Sequence, residues 1–167
     1  TNVYDISQTH LEDTRIRLEN YGKDSKIKQE EFNLLKREYV QAQLRYYLLA
    51  QQINTRCSSD LQTLIYFYST EKECPDCDSQ AFVLTYLKKL FDKKLLIFAL
   101  DSNYVEEPLI PIFKNVYNVT SFPTIVLENK IYRKYTSNEE LLSIMCNEIN
   151  SSPDACKKII QNTTPKK

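Results

Sequence analysis

ECPDCDSQAF, residues 73 to 82, holds two cysteines separated by Pro75 and Asp76. Three uses fit such a pair: a redox couple, half of a metal site, or a structural clip. Acid surrounds it, with Glu71, Glu73, Asp76 and Asp78 close by. Carboxylates disfavour the ionisation of a neighbouring thiol, so the setting is unusual for a reactive cysteine. The segments on either side of the pair decide among the three uses.

Upstream, Leu64 to Tyr68 (LIYFY) reads as a short buried strand. Downstream, Phe82, Leu84, Leu87, Leu90 and Phe91 give a helical pattern from about residue 75 to 92. Leu95 to Leu100 is a continuous apolar strand ending in Asp101, and Pro111 to Tyr117 suggests a short helix. Thr124 to Leu127 and Ile131 to Tyr135 are expected strands, joined by a turn in which Asn129 can accept positive φ. Asn138 opens a helix over Leu141, Leu142 and Met145, with Glu140 near its first turn. Pro153, after Ser152 as N-cap, starts a final helix. Two strands joined by a crossover helix are expected to be parallel, and a tight hairpin antiparallel. The fold class is therefore α/β, a mixed central sheet flanked by helices.

A strand, then CxxC opening a helix, then a strand ending in Asp101-Ser-Asn103, resembles the thioredoxin family. Tyr117-Asn-Val-Thr-Ser-Phe-Pro-Thr124 is similar to that family's Tyr-x-Ile/Val-x-x-apolar-Pro-Thr run. The likeness covers roughly Leu61 to Ile149. It implies a thioredoxin-like fold, a cis peptide bond between Phe122 and Pro123, and a redox role for Cys74 and Cys77. It also implies that backbone groups of Phe122 and Pro123 face the pair and bind a substrate strand by local β-augmentation. The sequence departs from the family in four ways. Glu73 stands where many members carry Trp, and Tyr66 stands near the place of their buried Asp. The loop before the pair is about two residues longer, and the glycines near the hairpin are absent.

The chemistry explains the spacing. Cysteines three apart at a helix start can close a small disulfide ring with little backbone movement. Unpaired amides and the helix dipole stabilise a thiolate there, and Pro75 suits a first helical turn. Cys74 is the expected nucleophile, and Cys77, the more buried of the two, the expected resolving thiol. Pro75 and Asp76 form the active-site loop between them. A free thiol has a pKa of about 8.5, and reactive ones fall to roughly 3.5–7.5 in electropositive sites. The acid here predicts only a small lowering for Cys74, and a pair nearer the reducing end.

The remaining cysteines are Cys57, Cys146 and Cys156. Cys146 and Cys156 lie ten apart across an expected helix–turn–helix, which suits a structural disulfide pinning the last helix. The alternative is two ordinary thiols. Cys57 is left over, or replaces a member of that pair. Five cysteines in this spacing do not make a zinc site, and His10, the one histidine, lies far away in the helical region. No metal and no dissociable cofactor are expected.

Residues 1–56 differ in texture, being polar, helical and without proline. Phe32, Leu35, Tyr39, Ala42, Tyr46, Leu49 and Ile53 step by three and four, a heptad seam. A weaker seam runs through Tyr4, Leu11 and Leu18 and ends near Gly22, with Asp24 or Ser25 able to cap the second helix. This is a helical hairpin whose seam packs within the chain or serves as a dimerisation coiled coil. The expected domains are thus the helical extension 1–56, the thioredoxin-like body 57–150, and a C-terminal helix and tail 151–167.

Formal net charge is zero, from 22 basic and 22 acidic residues, so no basic field is available for nucleic acid. The longest apolar run, LLIFAL at 95–100, is far short of the ~20 residues that span a bilayer. A membrane tether upstream of Thr1 is compatible with the reading. Asn118-Val-Thr120 and Asn162-Thr-Thr164 match the short glycosylation sequon. Together these features lead to a thiol–disulfide oxidoreductase acting on protein disulfides. It is served by a redox partner protein, with an extracytoplasmic location favoured by the second cysteine pair. The second reading is a redox-inert interaction or scaffold module that uses the N-terminal helices.

Overall fold

The computed structural model describes residues 3–22, 28–57, 61–148 and 156. Two helices, α1 (Val3–Gly22) and α2 (Gln29–Cys57), precede strand β1 (Gln62–Tyr68). Helix α3 (Cys77–Phe91) and a 3-10 turn (Asp92–Lys94) lead to β2 (Leu95–Asp101). Helix α4 (Leu109–Val116), strands β3 (Thr124–Leu127) and β4 (Lys130–Tyr132), and helix α5 (Asn138–Glu148) complete the order. The expected caps at Asp24 or Ser25, and the start of the last helix at Ser152–Pro153, lie outside the described residues.

The sheet order is β2-β1-β3-β4. β1 and β2 run parallel, with Tyr68 beside Asp101, so both finish at the same end of the sheet. β3 is antiparallel to β1 and to β4. Alternation along β1 builds two cores, because successive side chains of a strand point to opposite faces. Leu64 and Tyr66 pack with Val83, Leu84, Leu87 and Phe91 of α3 and with Leu141 and Met145 of α5. Ile65 and Phe67 pack on the other face with Val40, Leu44, Tyr47 and Ala50 of α2 and with Ile110 of α4.

Helix α2 therefore forms one wall of a core. Its heptad seam is covered within the chain, with Leu35, Ala42 and Tyr46 buried and Phe32, Tyr39, Leu49 and Ile53 half-buried. The stripe Val40, Leu44, Tyr47 lies beside that seam and faces the sheet. Such a two-sided apolar helix is buried on both sides. Polar contacts fasten it at each end. Lys36 Nζ reaches Asp101 Oδ2 at 2.9 Å, and Gln41 Nε2 donates to the buried Glu107 at 2.9 Å. At the other end Gln51 Nε2 donates to Thr63 Oγ1 at 2.7 Å. α1 lies along α2, where Arg17 pairs with Glu38 at 3.3 Å.

Of the element bounds that differ from the sequence reading, three have a direct physical cause. α3 begins at Cys77 rather than near 75, because Pro75 and Asp76 form a turn closed by Cys77 N–H donating to Cys74 O at 3.2 Å. α4 begins at Leu109, where Glu107 Oε1 accepts from the Leu109 N–H, ahead of the expected Pro111 start. β4 stops at Tyr132, since Arg133 turns away to donate to the carbonyls of Asn118 and Tyr117. With one glycine in the chain, left-handed turns fall to other residues. Glu128 and Asn129 both take positive φ, 45° and 70°, at the β3–β4 hairpin, the pattern of a type I′ turn.

Candidate active site

Parallel β1 and β2 place the segments after Tyr68 and after Asp101 side by side. A loop from Ser69 to Asp76 then carries the CPDC sequence to the start of α3. Cys74 N–H donates to Thr70 O at 2.8 Å, which fixes the first cysteine one turn ahead of the helix. Cys74 and Cys77 are joined as a disulfide, with their Cα atoms 5.3 Å apart. Pro75 and Asp76 are exposed above it. The two cysteines are equally covered, Cys74 being 2% and Cys77 6% exposed. The expected difference in burial is absent, because Cys74 has been drawn into the core cluster with Tyr66 and Leu64. Position distinguishes the two: Cys77 is the first residue of α3, and Cys74 lies outside it.

The Phe122–Pro123 peptide bond is cis. Pro123 is buried at the start of β3, and half-buried Phe122 packs against both cores, including the one that holds the cysteine pair. Thr124 Oγ1 donates to Ser121 O at 2.6 Å and Ser121 Oγ donates to Arg133 O at 2.8 Å, so side chains on both sides tie the loop down.

Several contacts at the site are not legible in the sequence. Tyr66, on the floor of the pair, donates its hydroxyl to Cys77 O at 2.7 Å. Burial pushes its phenol well above the ordinary tyrosine range, with Asp78 adding to the shift, so Tyr66 is a neutral donor at any physiological pH. Glu73 is clamped. Ser69 Oγ donates to its carboxylate, and Asn103 Nδ2 reaches Glu73 Oε2 at 3.3 Å and Ser69 Oγ at 2.8 Å. These bonds, Ser69's first, hold the Glu73 carboxyl below its usual range. A fixed anion thus adjoins Cys74. Lys114 of α4 lies over the Phe122 ring, 5.5 Å from its centroid, and donates to Ser102 O at 3.2 Å. Most of these partners are remote in the sequence from the group they meet, which hides the contacts from any local pattern.

The second cysteine pair is also bonded. Cys146, on α5, joins Cys156, and both are buried in the same core as α3. Cys57 is a free, exposed thiol at the end of α2. His10 is exposed on α1. Among the described residues no group of three or more His, Cys, Asp or Glu is placed to hold a metal ion. No helix among them is long and apolar enough to cross a membrane.

No family model and no curated protein sequence matches the chain. Among solved structures, "Structure of a malarial protein" matches at 20% identity over 55% of this chain and 99% of its own, with a TM-score of 0.44. Chloroplastic thioredoxin z matches at 19% identity over 59% of this chain and 87% of its own, with a TM-score of 0.43. Deadhead, the germline-specific thioredoxin of Drosophila melanogaster, matches at 19% over 62% and 92%, with a TM-score of 0.42. At these identities and TM-scores the likenesses carry no argument. The chain is thioredoxin-like in its own right, by its strand order and by a CxxC pair set between β1 and α3. That arrangement supports a thiol–disulfide redox role.

Proposed function

We propose that this protein exchanges thiols and disulfides with other proteins through Cys74 and Cys77. The observation that carries the reading is the bonded pair beyond the end of β1, in one core cluster with Phe122 of the cis-proline loop. In the reduced form the Cys74 thiolate attacks one sulfur of a substrate disulfide. A mixed disulfide forms and one substrate thiolate leaves. Cys77 then gives up its proton and attacks the Cys74 sulfur. The second substrate thiol is released, the Cys74–Cys77 disulfide forms, and two electrons have passed to the substrate. A partner dithiol protein restores the reduced pair. The backbone at Phe122 and Pro123 holds the extended substrate strand, and Pro75 and Asp76 form the exposed rim that it meets.

Clamped Glu73, exposed beside Cys74, disfavours the thiolate because like charges repel. A thiolate less stabilised by its surroundings favours a place toward the reducing end of thiol exchange. The buried Cys146–Cys156 bond favours an oxidising compartment outside the cytoplasm. Reduction of insulin by the wild type and by Cys74→Ser tests the reading. Turnover with a mild dithiol as electron source is expected, and Cys74→Ser should fall to the uncatalysed background. A wild type with no turnover, or a pair that resists the dithiol, would favour the scaffold reading instead.

A further inference from the structure

A cavity of about 290 Å³ opens between α4 and the turn after β2. It shares two walls with the cysteine site. Ser102 lines it, and the next residue, Asn103, donates to Glu73 beside Cys74. Asn118 and Val119 also line it, and they lead directly into the loop that ends at Phe122 and Pro123. Lys114 belongs to both places, lining the cavity and lying over the Phe122 ring.

The charge of the lining is one-sided. Lys114 supplies a cation, Asn115 and Asn118 carry amides that can turn their NH2 groups toward an acceptor, and Val105 and Pro111 supply apolar surface. Ser102 adds the most telling group. It is 3% exposed, and its hydroxyl is buried with no hydrogen-bond partner. A buried hydroxyl without a partner costs free energy that a bound group can recover. Among the described residues no carboxylate lines the cavity. Donors around a short apolar cleft suit an acceptor-only group on a short aliphatic stem, which is a carboxylate side chain.

We infer that this cavity is a specificity subsite for an acidic side chain flanking the substrate's disulfide, with Lys114 and Ser102 as its principal contacts. The inference rests on the redox reading and extends it to the substrate. The Lys114 charge is also felt at Glu73, so one ammonium serves the subsite and the rim of the dithiol. A substrate strand lying along Phe122–Pro123 would carry a flanking residue into the cleft. The acid around the pair disfavours anionic residues elsewhere along that strand, so the subsite confines acceptable negative charge to one position.

Two measurements on the full chain test this. The first uses peptides that contain one disulfide and differ only by Glu or Gln at each flanking position in turn. At one position the wild type should show a KM about tenfold lower for Glu than for Gln, the order expected of a charge-assisted contact. In both Lys114→Met and Ser102→Ala that ratio should shrink toward one. Ser102→Ala removes only an unpartnered hydroxyl, so it is expected to fold if Lys114→Met does not. The second titrates the oxidised protein with cysteine-free Glu and Gln peptides and follows amide NMR shifts. Shifts at Ser102, Lys114 and Asn118 with the Glu peptide alone support the subsite. Turnover with no Glu preference at any position, and no such shifts, would overturn it while leaving the redox reading intact. Selective Glu binding without turnover would support the subsite and count against the redox reading instead.

Discussion

The two disulfides of this chain lie in one core cluster, yet they occupy different kinds of place in the fold. Cys74–Cys77 closes a ring of four residues beyond the end of β1, under an exposed turn and in a core cluster with the cis-proline loop. Cys146–Cys156 closes a longer ring on α5, within the same core. Burial does not separate them, since all four residues are almost fully covered. Position does. The first pair sits where two parallel strands end and a helix begins, with the cis-proline loop alongside. The second ties α5 to the segment that bears Cys156.

The largest expected effect removes the second pair. Cys146→Ala with Cys156→Ala should lower stability by about 3 kcal/mol, the usual loss for a loop of this size. Urea unfolding would measure it. Insulin turnover below the unfolding range should change little, and its collapse would mean the two disulfides are one device.

The next effect concerns alkaline pH. Tyr66 and Tyr68 stand on β1 beneath the first pair, and burial raises both phenols, Tyr68 to about 12. The unfolded chain loses these protons near pH 10, whereas the folded chain keeps them. The contribution of each phenol is thus complete below about pH 10 and lost as pH rises through its folded value. For Tyr68 the loss falls between about pH 10 and about 12. The urea midpoint should drop across that window, and Tyr68→Phe should flatten the drop. An unchanged slope in the variant would place the loss elsewhere.

The smallest effect touches the first pair alone. Glu73→Gln should lower the Cys74 pKa in the reduced protein by less than about one unit, because one nearby negative charge is gone. Titration by alkylation rate would show it. A rise would contradict a clamp that acts through charge.

The first cysteine pairing is legible from its three-residue spacing before a helical pattern, whereas for the second a turn containing Ser151, Ser152 and Pro153 suits Cys146–Cys156 but leaves two free thiols or a pairing with Cys57 open. The strands are legible because LIYFY, LLIFAL and TIVL are short apolar runs bounded by polar residues. The sheet-facing stripe of α2 is harder to see. Val40, Leu44 and Tyr47 interleave with the heptad seam, and the seam has the more regular period. Tyr66 stands out as a departure from the family, but its bond to Cys77 O spans eleven residues. The Glu73 clamp spans thirty, and the Lys114 contact depends on how α4 lies over the cis-proline loop. Such contacts depend on topology, which local periodicity does not encode.

Asp101 has a consequence for any attempt to trim the protein. One of its carboxylate oxygens holds Lys36 on α2, and the other accepts the backbone N–H of Asn103 at 3.0 Å. Asn103 in turn steadies Glu73 next to Cys74. Cutting before residue 57 to isolate a minimal catalytic unit would strip the cation from Asp101 and lay one core open to water. The shortened protein would be a different reagent, because the surroundings of its thiol begin on the second helix.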